Sequence, residues 1–297
     1  MRTYLDTNVY EYLIKDHADN ALLEQLKKDN IYISTAHIEE LKNAIEGSQT
    51  LSDLQSNDSR IQLMKALSIQ KIISPHYNSF KATSTNQYRS IDDCIQAVYD
   101  YDTAKRLEDI QDAKRIDQKK DLQELRDQNK EARFFSNKTA EEIWEIPNVQ
   151  DELHKFPQHL ATYNDRAIKS LRTVPKYDLA FRQNRNCFQK VLVKNCNFVL
   201  SPGCFPIIAK EYPLLECVLE FLVNCLDNVG YNTDTTSRTI HSAPYDIQHL
   251  ILATYCERFV TRDKRLHRKA QAIYQYVGAP IKVLDTKAYF EELSSSI

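Results

Sequence analysis

The stretch Arg2-Thr3-Tyr4-Leu5-Asp6-Thr7-Asn8 sets the order of elements that decides the fold. Its first four residues form a short strand-like segment that runs straight into Asp6. Thr7 or Asn8 can then cap a helix, because their side-chain oxygens accept hydrogen bonds from the first N–H groups of a helix. The order strand, acid, helix predicts a carboxylate at the carboxyl end of a β-strand, where open α/β folds gather functional groups.

The same order returns after residues 31–33, which repeat the strand signal. Ser34 or Thr35 offers the next helix cap, and the helix that follows carries Glu40 within its first turns. Glu39 is the competing choice for the second acid, since adjacent helical residues point about 100° apart and only one of them can face a given site. The second predicted strand is thus also followed by a helix that carries an acidic residue.

Two further αβ units are predicted towards the carboxyl terminus. They comprise a helix, a strand, a helix and a strand over residues 246–256, 258–261, 266–276 and 281–284. Asp246 stands at the start of the first helix, and Asp263 follows the strand directly. Because strands alternate with helices at both ends of the chain, residues 1–50 and 238–297 are predicted to form one α/β domain with a parallel sheet covered on both faces.

Residues 51–237 are predicted to form a large, mainly α-helical insertion in that domain. No glycine or proline occurs over residues 76–146, and apolar residues recur there at spacings near three and four, which predicts a long helix or a helical hairpin. Its charged residues mix both signs, which is typical of a solvated face.

Composition excludes several classes of function. The formal net charge of −2 gives no global attraction to nucleic acid. Only four glycines occur, so neither a glycine-rich phosphate loop nor a dinucleotide fingerprint can be assembled. The seven cysteines contain no Cys-x-x-Cys pair, which argues for reduced structural thiols. No signal peptide or membrane-spanning run is recognised, so a cytoplasmic protein without membrane contact is expected.

One stretch, residues 166–194, has a local excess of basic residues with interleaved aromatic residues. It suits RNA, because basic side chains neutralise phosphates and exposed aromatic rings stack on unpaired bases. An amphipathic helix with a solvated basic face is the alternative interpretation. The candidate nucleic-acid-binding residues of this stretch are Arg166, Lys169, Arg172, Lys176, Arg182 and Arg185.

The four acids at the element ends are Asp6, Glu40, Asp246 and Asp263. Carboxylates that crowd together repel one another unless they share protons or bind a cation, so their convergence would call for a hard divalent metal. Each acid alone has an ordinary structural explanation, as a helix cap, a dipole partner or a surface ion-pair member. A metal-dependent phosphodiesterase is the hypothesis that explains all four together.

Four motifs in this order resemble those of PIN-domain nucleases: Tyr-Leu-Asp-Thr-Asn-Val at 4–9, Ser-Thr-Ala-His-Ile-Glu-Glu-Leu at 34–41, the helix start at Asp246, and Phe-Val-Thr-Arg-Asp-Lys-Arg-Leu at 259–266. The resemblance covers residues 1–50 and 238–290, not the helical middle. It implies a Rossmann-like αβα domain that hydrolyses RNA with Mg²⁺ or Mn²⁺.

The resemblance also implies roles for individual residues. The catalytic and metal-binding acids would be Asp6, Glu40, Asp246 and Asp263. Polar residues that orient them would be Thr7, Asn8 and Thr261, while Lys264 and Arg265 would steady the scissile phosphate. The middle region is longer than such a nuclease domain needs, which leaves the substrate and the regulation open.

Two other functions fit the same residues. The chain could be a catalytically inactive PIN-like binding or scaffold protein, whose acids do not converge or are neutralised by cationic side chains. It could also be a nuclease of a toxin or antiviral system, with an inhibitory or regulatory protein partner and with the inserted helices as a sensor or oligomerisation surface.

Overall fold

The computed structural model describes residues 1–17, 20–44, 58–67, 72–73, 90–102, 135, 137–173, 197–233 and 237–295. Within these ranges, the side chains of residues 16–17, 42–44, 97–102, 166–173 and 237–244 are not described.

The strands are short and the helices carry most of the ordered structure. The strands are β1 Arg2–Leu5, β2 Asn30–Ser34, β3 Ile72–Ile73, β4 Arg258–Val260 and β5 Lys282–Leu284. The helices are α1 Thr7–Tyr12, α2 Asn20–Lys28, α3 Thr35–Ala44, α4 Ser59–Ala66, α5 Ile91–Asp102, α6 Pro147–Leu153, α7 Phe156–Thr173, α8 Phe205–Ile208, α9 Tyr212–Asn228, α10 Ser237–Ala253, α11 Lys264–Val277 and α12 Thr286–Ser295. A π-helical turn covers Leu13–His17, and a 3₁₀ turn covers Glu142–Glu145.

The strands form a five-stranded sheet in the order β3-β2-β1-β4-β5, and every pairing is parallel. Successive side chains of a strand point to opposite faces, and the two central strands show this directly. Tyr4 and Phe259 lie opposite each other and join one hydrophobic core, whereas their neighbours Leu5 and Val260 join the other. The predicted α/β fold with a parallel sheet covered on both faces is therefore present.

The strand order places a topological switch point between β1 and β4. From β1 the chain moves outward through β2 and β3 on one side, and it later returns to build β4 and β5 on the other side. The backbone N–H of Asp6 donates to the carbonyl oxygen of Val260 at 2.9 Å, so the carboxyl ends of these two strands lie side by side. Open α/β sheets bind ligands in the crevice outside such a point.

The region predicted as a helical insertion also contributes to the sheet and to both cores. Ile72–Ile73 forms the edge strand β3, too short for residue periodicity to reveal. Ile61 of α4 and Ile95 of α5 pack in the core that contains Leu5. Helix α9 packs in the other core, where nearly all of its apolar side chains are buried. Much of the predicted long helix, residues 103–134, lies outside the described residues.

One predicted helix boundary is wrong. The helix that carries Asp246 begins at Ser237, and it continues through Pro244. Proline in a helix interior removes one backbone hydrogen bond and is disfavoured there, so local propensity favours a helix that starts after this residue. The packing of α10 against α3 and α9 overrides that preference. Asp246 therefore lies within a helix, and the expected position at a helix start is corrected.

None of the helices in the described ranges has the length and apolar character needed to cross a membrane. Each cysteine within these ranges is free and buried, in agreement with structural thiols. Burial raises the pKa of the Cys94 and Cys225 thiols to about 12, so these thiols are poor nucleophiles. Cys187 and Cys196 lie outside the described residues.

Candidate active site

Asp6 lies at the carboxyl end of β1 and accepts three hydrogen bonds. The Thr7 backbone N–H donates to Oδ1 at 2.8 Å, while Oδ2 accepts from the Asn8 amide at 2.6 Å and from the Thr261 hydroxyl at 2.7 Å. Only 4% of Asp6 is exposed. A buried carboxylate needs several donors, and here they come from the first turn of α1 and from the end of β4. The orientation of Asp6 is therefore fixed by both central strands.

The residues after β4 are tied to the same carboxylate. Thr261 Oγ1 accepts hydrogen bonds from the Asn8 amide at 3.3 Å and from the Asp263 backbone N–H at 3.1 Å. The Asn8 side-chain oxygen in turn accepts from the Arg262 backbone N–H at 2.9 Å. Thr261 and Asn8 thus contact Asp6 directly, as does Thr7 through its backbone, which is the arrangement expected of residues that orient it.

Glu40 and His249 complete the group from the other side. The His249 Nε2 atom lies 3.1 Å from Glu40 Oε2, 3.9 Å from Asp6 Oδ1 and 3.3 Å from the Thr7 hydroxyl. His249 is 1% exposed, whereas the Glu40 side chain is 28% exposed. Of the two candidates for the second acid, Glu40 is the one whose carboxylate bonds to this histidine. Asp6 and Glu40 therefore meet around one buried imidazole.

The electrostatics of these groups are coupled. Burial raises the pKa of Asp6, and the Glu40 charge adds to this, against the opposing effects of His249 and of the Thr261 and Thr7 hydrogen bonds. Burial acts in the same direction on Glu40, but the hydrogen bond and charge of His249 outweigh it and bring the pKa of Glu40 to about 2. Burial lowers the pKa of His249, yet its Glu40 and Asp6 partners raise it overall. When it is protonated, His249 is thus the internal counter-charge to two carboxylates.

Behind His249 lies a buried chain of hydrogen bonds. The Tyr4 hydroxyl is 2.7 Å from His249 Nδ1 and 2.6 Å from the Ser34 hydroxyl, and Ser34 Oγ is 3.1 Å from His37 Nδ1. The Ser34 backbone N–H donates to His37 Nδ1 at 2.9 Å, so this nitrogen carries no proton and the opposite ring nitrogen donates to the Leu5 carbonyl at 2.6 Å. His37 is therefore a neutral imidazole that anchors the chain.

The direction of the two central hydroxyls depends on the charge of His249. When His249 is an imidazolium, its Nδ1–H donates to Tyr4, Tyr4 donates to Ser34, and Ser34 donates to His37 Nδ1. When His249 is neutral with its proton on Nε2, Tyr4 donates to Nδ1 instead. In both arrangements each hydroxyl has hydrogen-bond partners, so Tyr4 and Ser34 can hold His249 in place whether it is charged or neutral.

Asp263 and Asp246 have different positions from the two converging acids. Asp263 caps α11, where its Oδ1 accepts from the Arg265 and Leu266 backbone N–H groups at 2.7 and 3.1 Å. Its backbone lies at the Thr261 hydroxyl, so it belongs to the same edge as Asp6. Asp246 is half-buried and lies three residues before His249 on α10, a spacing that places both on one helix face. Contacts through His249 thus join Asp6 and Glu40, and the Asp263 backbone lies at the same strand end through Thr261.

The donor atoms of this site are of the type that divalent cations prefer, but their arrangement in the described residues is not that of a metal site. Carboxylate oxygens are the ligands that Mg²⁺ prefers, and burial, followed by the Glu40 charge, raises the pKa of Asp6. No group of three or more histidine, cysteine, aspartate or glutamate side chains is arranged to hold a metal ion within the described ranges. The imidazole of His249 lies between the two carboxylates instead.

Most residues predicted to contact nucleic acid are not described at the level of side chains. Lys176, Arg182 and Arg185 lie outside the described residues, and the side chains of Arg166, Lys169 and Arg172 in α7 are likewise not described. Lys264 is exposed and Arg265 is half-buried, both in the first turn of α11 next to Asp263. Their role as phosphate-binding residues stays a prediction.

Sequence reasoning missed the central role of His249. The spacing of three residues from Asp246 is compatible with a shared helix face, but only the structure shows the imidazole between Asp6 and Glu40. Tyr4 and Ser34 carry no comparable signal, because a tyrosine and a serine in strands are ordinary core and cap residues. No protein-family model, curated protein or solved structure matches this chain. The resemblance to PIN-domain nucleases therefore rests on the motifs themselves.

Proposed function

We propose that this protein is a PIN-like, metal-dependent endoribonuclease that hydrolyses phosphodiester bonds at the carboxyl edge of its sheet. The observation that carries the proposal is the meeting of Asp6 and Glu40 at the switch point between β1 and β4. Ligand sites of open α/β folds lie at such a point, and buried carboxylates there are stabilised by a positive charge, which His249 or a bound cation can supply. Hydrolytic chemistry on an anionic substrate with a divalent cation satisfies both conditions.

The reaction adds water across one phosphorus–oxygen bond. The water oxygen bonds to phosphorus, the bond to the 3′ oxygen breaks, and a proton from the water ends on that oxygen, which leaves 5′-phosphate and 3′-hydroxyl ends. Mg²⁺ or Mn²⁺ held by Asp6, with Glu40, Asp246 and Asp263 as further candidate ligands, would offset the charge that develops on the phosphoryl group.

The residues of the chain have separable roles in this proposal. Thr261, Asn8 and the Thr7 backbone hold the Asp6 carboxylate in one orientation, which removes the need to reorganise it during the reaction. Tyr4 fixes the ring of His249 through Nδ1, so that Nε2 remains directed at Glu40 and Asp6. His249 is thus placed to hold or release a proton beside both acids.

A binding or scaffold protein is the second candidate, and one observation favours it. The position between Asp6 and Glu40 is taken by an imidazole whose pKa is raised by those carboxylates, despite its burial. A site whose acids are neutralised internally in this way needs no metal ion. On this alternative the chain binds RNA or a protein without cleaving it.

Cleavage of labelled single-stranded RNA separates the two candidates. The purified protein is incubated with Mn²⁺, with Mg²⁺ or with EDTA, alongside the variants Asp6→Asn and Asp263→Asn. We expect cleavage with either metal, none with EDTA, and at least about a 100-fold loss in each variant, because each removes a negatively charged oxygen donor. Asparagine retains an oxygen that can cap a helix, so the fold of both variants should be kept.

Asp151→Asn is the matched control, because Asp151 is an exposed aspartate on α6. It makes the same chemical change away from the site and should cleave like the unmodified protein. Thermal unfolding of each variant verifies that the fold is intact. Cleavage that persists in EDTA, or that survives in both Asp6→Asn and Asp263→Asn, would reject the metal-dependent nuclease.

A further inference from the structure

We infer that Arg262, held over the ring of Tyr12, binds a phosphate of single-stranded RNA next to Asp6. This inference rests on the proposed nuclease function, and it identifies a substrate contact on a different part of the chain from the basic stretch 166–194. Four observations lead to it: the position of Arg262, its electrostatic environment, its contact with Tyr12, and the groove beside that ring.

Arg262 lies between Thr261 and Asp263, at the carboxyl end of β4 beside Asp6. Thr261 donates to the Asp6 carboxylate, and Asp263 caps the following helix. The backbone N–H of Arg262 donates to the Asn8 side chain at 2.9 Å, which fixes the backbone at this point. Consecutive Cα atoms are about 3.8 Å apart, so the Arg262 side chain starts within one residue of the group that orients Asp6.

The guanidinium of Arg262 is exposed and, within the described part of the chain, no carboxylate lies in ion-pair contact with it. Other arginines of the fold are paired: Arg2 with Glu257 at 2.7 Å, and Arg258 with Asp29 at 2.7 Å. An arginine beside two acids would ordinarily pair with one of them. Here its charge stays available for an anion from solution, and a phosphodiester is the anion that the proposed reaction brings.

Tyr12 holds the guanidinium in place. The Arg262 Cζ atom lies 4.7 Å from the centre of the Tyr12 ring, within the range of a cation–π contact. Tyr12 itself stacks on Phe290 of α12, with ring centres 6.2 Å apart and planes 21° apart. The planar guanidinium therefore rests on an aromatic pair, which reduces the rotamer freedom that would be lost on binding phosphate.

An open groove continues from this aromatic pair along α12. It has a volume of about 480 Å³, and Tyr12, Phe290, Thr286, Lys287, Glu291 and Ser294 contribute to its lining. Glu291 lies 3.9 Å from Lys287, so the one carboxylate in this set has a cationic neighbour. The aromatic rings of the lining suit an unpaired base, and the Arg262 guanidinium over the Tyr12 ring suits its phosphate. Single-stranded RNA provides both groups.

Binding of a nuclease-resistant, 2′-O-methyl single-stranded oligonucleotide tests the inference without any cleavage step. Affinity is measured by fluorescence anisotropy at several salt concentrations for the unmodified chain, Arg262→Gln, Arg262→Lys, Tyr12→Leu and Tyr12→Phe. We expect Arg262→Gln to weaken binding about 10-fold and to reduce the salt slope by about 0.7, the value for one phosphate contact on a single strand. Arg262→Lys should recover the salt slope but only part of the affinity, because an ammonium is a point charge without a planar fork.

Tyr12→Leu should weaken binding about 3- to 10-fold, and Tyr12→Phe should restore most of that loss, because the contact needs the ring. The matched control is Arg268→Gln, the same charge change at an exposed arginine of α11, which should leave the salt slope unchanged.

Equal effects of Arg262→Gln and Arg268→Gln would overturn the inference, even if the unmodified chain cleaves RNA in the separate assay. Equal affinities of Tyr12→Leu and Tyr12→Phe would overturn the role of the ring. No oligonucleotide binding by the unmodified chain would overturn this inference together with the nuclease proposal.

Discussion

The Tyr4 hydroxyl connects the candidate active site to the interior of the protein. It bonds to His249 Nδ1 at 2.7 Å and to the Ser34 hydroxyl at 2.6 Å, and Tyr4 is fully buried. A buried hydroxyl in a chain of this kind contributes most when each member has its partner, because an unpaired polar group in the interior is costly. The side chain of one strand residue therefore controls the orientation of a histidine that is remote in sequence.

Replacing Tyr4 with phenylalanine should separate orientation from folding. Tyr4→Phe leaves His249 Nδ1 without its hydroxyl partner, so we expect cleavage to fall about 10- to 100-fold and stability to fall by roughly 1–3 kcal/mol. Single-turnover RNA cleavage and urea unfolding measure the two effects.

The control for Tyr4→Phe is Tyr289→Phe, which removes a buried hydroxyl that donates to Asp29 at 2.7 Å. Asp29 also bonds to Thr3 and Arg258, near the amino ends of the strands, whereas Asp6 follows the carboxyl end of β1. A similar loss of stability without a loss of cleavage is expected. Full cleavage by Tyr4→Phe would show that His249 needs no such support.

The neutral state of His37 should make stability depend on pH. Burial first, and the charge of His249 second, lower the pKa of His37 to about 3 in the folded protein, against 6.5 for the free side chain. The unfolded chain then binds a proton that the folded chain excludes, so stability falls as pH drops below about 6.5 and continues to fall towards about 3. His37 alone should account for about 2 kcal/mol between neutral pH and pH 5.

Urea unfolding at pH 8, 6.5 and 5 measures this dependence in the unmodified chain and in His37→Asn. Asparagine keeps an acceptor near the Ser34 N–H but cannot be protonated, and it should be less stable at pH 8 by roughly 1–3 kcal/mol. Its stability should decline less steeply between pH 6.5 and pH 5. Parallel curves for both proteins would contradict a neutral, buried His37.

At the scale of elements, helix termini position the residues around Asp6. The α11 helix starts directly after β4, and Asp263 caps it through two backbone N–H groups. At the other end Gly278 has a φ of 74°, in the left-handed region, and its N–H bonds back to the helix. A strand, a capped helix and a tight return to β5 thus place Thr261 and Asp263 next to Asp6.

The cap and the proposed chemistry of Asp263 can be separated by two substitutions. Asp263→Ala removes the acceptor for two N–H groups and should cost about 1 kcal/mol of stability, whereas Asp263→Asn should cost little because asparagine also caps helices well. Both should lose cleavage. Thermal unfolding and cleavage are measured on the same samples. Full cleavage by Asp263→Asn would show that Asp263 acts only as a helix cap.

Substitution of Gly278 tests how closely its backbone approaches that of Gly203 at the end of α11. A Cβ added at Gly278 would lie 3.1 Å from the Gly203 Cα, whereas a Cβ at Gly203 would meet nothing within 4 Å, although both residues have a φ of 74°. Gly278→Ala should therefore destabilise by about 1–2 kcal/mol more than Gly203→Ala, which carries the backbone strain alone. Thermal unfolding of both variants gives the comparison, and equal losses would contradict the contact.

Local patterns predicted the sheet well because its strands are bounded by acids and caps. The segments around Leu5, residues 31–33 and Phe259 each alternate or run apolar before a polar residue, and each is a strand. The two-residue strand β3 and the true start of α10 depend on tertiary packing, which overrides local preference. His249 depends on contacts between α3, β1 and α10, which no local pattern records.

At the scale of the molecule, the site lies between two hydrophobic cores on opposite faces of one parallel sheet. Tyr4 belongs to one core and Leu5 to the other, and Asp6 follows them at the edge where the strand order reverses. Helices from residues 51–237 complete both cores, so the middle of the chain supports the sheet that positions the acids. Two carboxylates, one imidazole and the exposed Arg262 then share this edge.

The most direct test of the central claim is a calorimetric titration of Mn²⁺ into the unmodified chain, Asp6→Asn and Asp151→Asn. The proposed site predicts saturable binding by the unmodified chain and by Asp151→Asn, and at least about 10-fold weaker binding by Asp6→Asn, because a buried carboxylate ligand is lost. Equal Mn²⁺ affinity in all three proteins, or no binding to any of them, would contradict a divalent-cation site at Asp6.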